Sequence, residues 1–208
     1  MGKYRVVTKR TTSSLTIRKS EFIAHVVPIR DEEHAWAILE EIREQHKDAT
    51  HNVWAWRLGD DEQVRFSDDG EPSGTAGRPV LEVIQREDIC NVLVVVTRYF
   101  GGILLGAGGL IRAYSRAATQ GLKEAPKGYM VQQNQFAVQL DYPFLGKLQN
   151  ELHSIGGQMT EVDYGAQVKA QITVPPQRAE YMEAFIRDLT NGTAQIQPLE
   201  PCWVLMDR

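Results

Sequence analysis

The sequence has 208 residues, of which 42% are hydrophobic and 24% charged, with 17 glycines and 9 prolines. These are the proportions of a folded globular protein, and they exclude a disordered or fibrous chain. The length allows one large or two small domains, each with its own core. The formal charge is -4, so no overall positive field is present to hold nucleic acid or an anionic membrane. Any site for a polyanion must therefore be local.

The cysteines and the apolar runs indicate where in the cell the protein is expected. Cys90 and Cys202 form no C-x-x-C motif, and no charged and then apolar leader opens the chain. The longest apolar runs, such as Val92 to Val96, are far shorter than the about 20 residues that cross a bilayer. We therefore expect a cytoplasmic protein without a membrane segment.

Strands and helices alternate in the first half of the chain. The patterns predict strands at 21–29, 51–58 and 90–100, a helix from Asp31 to about Lys47, and a helix at about 108–123. The strand at 90–100 has an apolar run typical of burial on both faces. The last helix has an apolar face that includes Ile111. Its other face is a basic stripe of Arg112, Arg116, Thr119 and Lys123, with Arg98 near its start, which suits either phosphate contact or simple solvation.

A turn-like segment, Ala125-Pro126-Lys127-Gly128, predicts a linker between two domains, 1–128 and 129–208. The first domain has 18 basic and 18 acidic residues, and the second has 5 and 9. The second predicts strand 130–141, helix 144–155, strands 158–164 and 167–174, helix 175–189 and strand 193–199. This βαββαβ order predicts a ferredoxin-like domain.

The first candidate site is the acidic loop, residues 66–79, which joins a strand to a helix. Its candidate binding residues are Asp68, Asp69, Glu71, Ser73 and Thr75. The three carboxylates are suited to a divalent cation, and the later backbone N–H groups are suited to an anion at the helix start. The alternative is a solvated loop whose side chains close turns and cap the helix.

The second candidate is the glycine loop, residues 98–110, with candidate binding residues Arg98, Tyr99, Gly101, Gly102, Gly108 and Gly109. Its backbone is suited to cradling a phosphate, although it matches neither known nucleotide-binding motif, and tight helix packing explains the glycines equally well. We predict that the two loops lie side by side and form one site. His51 is suited to ligand binding or proton transfer, but one ordinary hydrogen bond is the favoured interpretation. No nucleophilic triad is present in the sequence pattern.

Four segments carry a resemblance to a known family. They are Lys19-Ser20-Glu21-Phe22-Ile23-Ala24, Ala49-Thr50-His51-Asn52, the run from Phe66 to Gly77, and the run from Arg98 to Gly106 with Gly108-Gly109-Leu110. The chain resembles the IMPACT family, in particular its bacterial YigZ branch. The resemblance implies an α+β protein. Its N-terminal domain would have the ribosomal protein S5 domain 2-like fold, and its ferredoxin-like C-terminal domain would be similar to the last domain of elongation factor G.

The resemblance to the IMPACT family also implies a function. Eukaryotic IMPACT proteins regulate translation through a starvation-responsive kinase pathway with an added RWD domain, which we do not expect here, so that role is not transferred. The leading hypothesis is a nonenzymatic protein linked to translation regulation that binds RNA or the ribosome, with no cofactor and no resident metal. One alternative is an enzyme that holds a phosphorylated ligand on the glycine loop and a metal on the acidic loop. The other is a module that binds a protein partner.

Overall fold

A computed structural model describes residues 2–59 and 63–206. The chain forms two compact units, residues 4–129 and residues 130–206, the second of which includes Gly2 and Lys3. Each unit combines helices with a β-sheet and has its own hydrophobic core. Within the described ranges, none of the helices has the length and apolar character that a membrane crossing requires.

The first unit is built on a five-stranded antiparallel sheet. In chain order the described strands up to residue 99 are β1 (Lys3–Val7), β2 (Thr11–Ile17), β3 (Ser20–Pro28), β4 (His51–Leu58), β5 (Gln63–Ser67), β6 (Ile89–Cys90) and β7 (Val92–Tyr99). All of them except β1 and β6 belong to this sheet. The sheet order is β2-β3-β7-β4-β5, and β1 pairs in parallel with β6. Strand β7 lies at the centre, and every residue from Val92 to Arg98 is buried. The predicted two-sided burial of this strand is confirmed.

Helices cover both faces of this sheet. They are α1 (Glu32–Gln45), α2 (Gly77–Arg86) and α3 (Ala107–Glu124). Because side chains alternate along a strand, Val94 and Val96 pack with α2 and α3, whereas Leu93 and Val95 pack with α1. Asp31 caps α1 by accepting the His34 N–H at 2.7 Å. Helices α2 and α3 follow the acidic loop and the glycine loop, so the fold brings both loops to one face.

The second unit has the predicted ferredoxin-like arrangement. Its elements are β8 (Lys127–Leu140), α4 (Tyr142–Ser154), β9 (Gln158–Tyr164), β10 (Val168–Val174), a 3-10 turn (Pro176–Arg178), α5 (Ala179–Leu189) and β11 (Gln195–Met206). The sheet order is β11-β8-β10-β9. Leu148, Leu152, Met182 and Ile186 of the two helices pack on Ile172 and Val174 of the sheet. The βαββαβ prediction is confirmed.

Several local predictions are wrong. Lys127 and Gly128 are not linker residues, because β8 begins at Lys127, and Ala125 is buried in the first core. Ile111 does not lie on the core face of α3 but is 42% exposed at its edge. The last strand extends to Met206 instead of Leu199, since an edge strand tolerates prolines such as Pro201.

Candidate functional site

Asp68 organises the acidic loop. Its carboxylate accepts the backbone N–H groups of Gly74, Ala76 and Gly77 at 2.8, 3.0 and 2.8 Å. Ala76 and Gly77 lie at the start of α2, where backbone N–H groups lack partners within the helix and the helix dipole favours a negative charge. The sequence suggested an external anion for backbone N–H groups of this segment, and for these three the acceptor is the Asp68 carboxylate of the same loop.

The other loop residues also have structural partners. Asp69 accepts the backbone N–H of Asn52 at 2.6 Å, and the buried Thr75 donates its hydroxyl to the carbonyl of Pro72 at 2.6 Å. Ser73 is exposed. Across the described ranges, no three His, Cys, Asp or Glu side chains are grouped to hold a metal ion. The hydrogen bonds of Asp69 and Thr75 are of the kind that closes turns.

Glu71 lies at the centre of a buried polar cluster. One of its carboxylate oxygens, Oε1, is 2.6 Å from Nη1 of Arg98 and accepts the Tyr114 hydroxyl at 2.7 Å. The side chains of Glu71 and Arg98 are only 4% and 6% exposed. Burial, followed by the bond to Glu71, raises the pKa of Tyr114, so its hydroxyl remains a donor. The cluster joins the acidic loop to β7 and α3.

Arg98 does not belong to the basic stripe. Its guanidinium faces inward, with its carbon 5.6 Å from the ring centre of Phe22 and 5.4 Å from that of Phe100. Arg98 was expected to contact phosphate near the start of the stripe, but its side chain is buried and Glu71 neutralises it inside the fold. Tyr99 points to the opposite side of the sheet, where its hydroxyl lies 2.9 Å from Nδ1 of His46.

His51 contacts the acidic loop at Asp69 and Glu71. Its Nδ1 lies 2.7 Å from the carbonyl oxygen of Asp69, which can only accept, so Nδ1 carries the hydrogen. Its Nε2 lies 3.8 Å from Oε2 of Glu71. The favoured interpretation of one ordinary hydrogen bond is confirmed, but the ring also lines a cavity.

The glycines of the second loop serve mainly close packing and backbone shape. A Cβ on Gly101 would lie 2.0 Å from the carbonyl carbon of Lys19, so only glycine fits against the turn between β2 and β3. Gly106 precedes α3 with a φ of 69°, in the left-handed region. Gly108 and Gly109 lie within the first turn of the helix. Gly102 is exposed.

The two loops line one cavity, which we call the loop pocket. Its volume is about 430 Å³. It is lined by Thr50, His51, Gly70, Glu71, Pro72, Arg98, Phe100, Leu104, Leu105, Gly106, Ala107 and Leu110. The prediction that the loops lie side by side is confirmed, although Ser73, Gly108 and Gly109 are not among the lining residues.

A second cavity of about 340 Å³ lies beside the first. We call it the arginine cavity, because Arg18, Arg112 and Arg116 line it together with Ile17, Leu105, Gly109 and Ala113. Arg112 and Arg116 were predicted from the helix pattern, but Arg18 was missed. It lies in the two-residue turn of the β2–β3 hairpin, where Arg18 and Lys19 have φ values of 45° and 66°. Such turns favour Asn-Gly, so Arg-Lys gave no turn signal.

Comparisons with known proteins agree with this architecture. The model of the Impact N-terminal domain matches residues 18–122, and a domain of unknown function, DUF1949, matches residues 138–193. The chain belongs to the IMPACT family. The family member YvyE of Bacillus subtilis is 36% identical over 95% of this chain and 91% of its own length. YigZ of Escherichia coli is 34% identical over 88% of this chain and 92% of its own.

Protein IMPACT of Oryctolagus cuniculus is similar over a shorter region, with 38% identity over 44% of this chain and 30% of its own length. A solved crystal structure of a hypothetical protein superposes with a TM-score of 0.68 at 32% identity, covering 96% of this chain and 98% of that one. The fold assignment, an S5 domain 2-like domain followed by a ferredoxin-like domain, is confirmed for this IMPACT-family chain.

Proposed function

We propose that this IMPACT-family chain is a nonenzymatic cytoplasmic protein of translation regulation that binds RNA, including RNA on the ribosome. The observation that supports this best is the arginine cavity. Arg18, Arg112 and Arg116 surround it, and none of them forms an ion pair or hydrogen bond with another residue in the described part of the chain. Three like charges around one cavity repel one another, so a bound polyanion would stabilise them.

Other surface arginines of the same domain are paired with glutamates, unlike the three at the arginine cavity. Arg10, Arg43, Arg65 and Arg78 each lie within 3.2 Å of a glutamate carboxylate. The domain is electrically balanced, so the paired arginines contribute little local field, while the arginine cavity retains its charge. A local basic site on a neutral domain is suited to a few phosphates and not to a long polyanion track.

The enzyme alternative has weaker support. It needs carboxylates free to hold a metal beside a phosphate, but Asp68, Asp69 and Glu71 each bind donors of the protein itself. Among the described residues that line the pocket, no serine or cysteine accompanies the Glu71 carboxylate and the His51 imidazole. Binding therefore has more support than turnover.

A salt series tests this proposal. We expect wild-type protein to bind structured RNA and ribosomes saturably, with affinity falling as salt rises. Arg112→Ala/Arg116→Ala should weaken binding similarly for different sequences and flatten the log–log salt slope by roughly one unit or less per lost phosphate contact.

The matched control is Arg178→Ala/Arg187→Ala, which removes two exposed arginines from the second domain. It lowers the net charge by the same amount and should leave both affinity and slope near the wild-type values. Absence of saturable binding by the wild type, or an unchanged slope in Arg112→Ala/Arg116→Ala, would contradict the proposal.

A further inference from the structure

The loop pocket and the arginine cavity are neighbours. Leu105 lines both, so one side chain separates them. Their chemistry differs, because the loop pocket combines apolar walls with polar groups at its floor, whereas the arginine cavity is cationic. A nucleotide combines the apolar face of a base with an anionic phosphate, so an apolar pocket beside a cationic cavity is complementary to it.

Phe100 supplies an aromatic wall of the loop pocket. Phe100 is 46% exposed, and the guanidinium carbon of Arg98 lies 5.4 Å from its ring centre. Glu71 holds Arg98 at 2.6 Å, and the Phe100 backbone N–H is bound by the Thr50 hydroxyl at 3.1 Å. The backbone of Phe100 and the guanidinium beside its ring are thus both held, and bases stack on exposed aromatic rings with little dependence on sequence.

The floor of the pocket offers a hydrogen-bond acceptor. Nδ1 of His51 donates to the carbonyl of Asp69, and its Nε2 lies 3.8 Å from Oε2 of Glu71. Oε1 of Glu71 is already used by Arg98 and Tyr114, whereas Oε2 has no hydrogen bond within the described residues. This carboxylate oxygen suits an amino or imino N–H group on the edge of a base.

We propose that the loop pocket receives one unpaired RNA base while the arginine cavity holds a neighbouring phosphate. This rests on the proposed RNA-binding function and specifies the form of RNA that is recognised. A base in an A-form duplex is stacked and paired, so it can enter the pocket only by leaving the helix. The full chain should therefore prefer single-stranded RNA to a duplex of the same sequence.

The test uses the full chain with a short fluorescent single-stranded RNA and its duplex. Phe100→Ala should weaken single-strand binding about tenfold, as expected for one lost stacking contact, and leave duplex binding and the salt slope unchanged. Phe100→Tyr should restore the affinity. The control is Phe66→Ala, since Phe66 is a similarly exposed phenylalanine (44%) outside the pocket.

The outcomes separate this inference from the proposed function. Preference for the single strand that is lost in Phe100→Ala and kept in Phe66→Ala supports the base pocket. Equal binding of the two RNA forms, or a Phe100→Ala variant that keeps the preference, overturns the base pocket and favours an apolar side chain of a protein partner as its occupant. Absence of binding to either RNA overturns the proposed function itself.

Discussion

Replacing Arg98 with alanine is expected to lower the free energy of unfolding by about 3–5 kcal/mol. The substitution leaves the Glu71 carboxylate buried without its cationic partner at 2.6 Å, and an unpaired buried charge is costly. Glu71→Gln should have a similar effect, because it leaves Arg98 uncompensated. Chemical denaturation of the full chain, with far-UV circular dichroism and tryptophan fluorescence as probes, measures the loss.

Arg78→Ala is the matched control for Arg98→Ala. Arg78 also pairs with a glutamate, Glu82, at 3.2 Å, but the two side chains are 69% and 63% exposed. An exposed pair contributes at most about 1 kcal/mol. If Arg98→Ala cost no more than Arg78→Ala, the buried cluster would not be the structural link between the acidic loop, β7 and α3.

Gly101→Ala is expected to destabilise the protein by about 3 kcal/mol, near the upper end for overpacking. The new Cβ would lie 2.0 Å from the Lys19 carbonyl carbon and 2.5 Å from the Ser20 nitrogen. Both atoms are backbone and cannot move without displacing the hairpin turn. Because this turn carries Arg18, the substitution should also weaken RNA binding at the arginine cavity.

Gly108→Ala is the control for Gly101→Ala, since it makes the same change at the start of α3. Its Cβ would meet only the end of the Arg112 side chain, at 3.7 Å. Alanine in a helix is favoured over glycine by about 1 kcal/mol, so stability should be unchanged or slightly higher. Thermal and denaturant unfolding should show Gly101→Ala to be clearly less stable than Gly108→Ala. Similar stabilities of the two variants would contradict the close packing of Gly101.

Strong apolar patterns predicted most of the fold from the sequence. Strands β4 and β9 begin and end where the patterns placed them, and α3 differs by one residue at each end. The strands that were missed, β1 and β2, are rich in threonine, serine and charged residues. Strand β2 lies at a sheet edge and buries only part of one face, so alternation along it is weak.

The candidate site was predictable only in part. Turn residues and glycines located the two loops, because such residues mark the ends of strands and helices. The sequence did not show which charges are neutralised inside the fold, since the partners Glu71 and Arg98 are 27 positions apart. The same limit applies to Arg18, which reaches Arg112 and Arg116 through tertiary structure. The sequence therefore could not distinguish an arginine that is paired inside the fold from one that lines the arginine cavity.

The most direct measurement is the RNA that copurifies with the full chain from its native cell extract, with and without nuclease. We expect the wild type to retain RNA or ribosomes until nuclease is added. Arg18→Ala/Arg112→Ala/Arg116→Ala should retain much less, and Arg178→Ala/Arg187→Ala should retain the wild-type amount. Equal recovery of RNA with wild type and the triple variant, or recovery of only a nuclease-resistant protein partner or a small phosphorylated ligand, would contradict RNA binding at the arginine cavity.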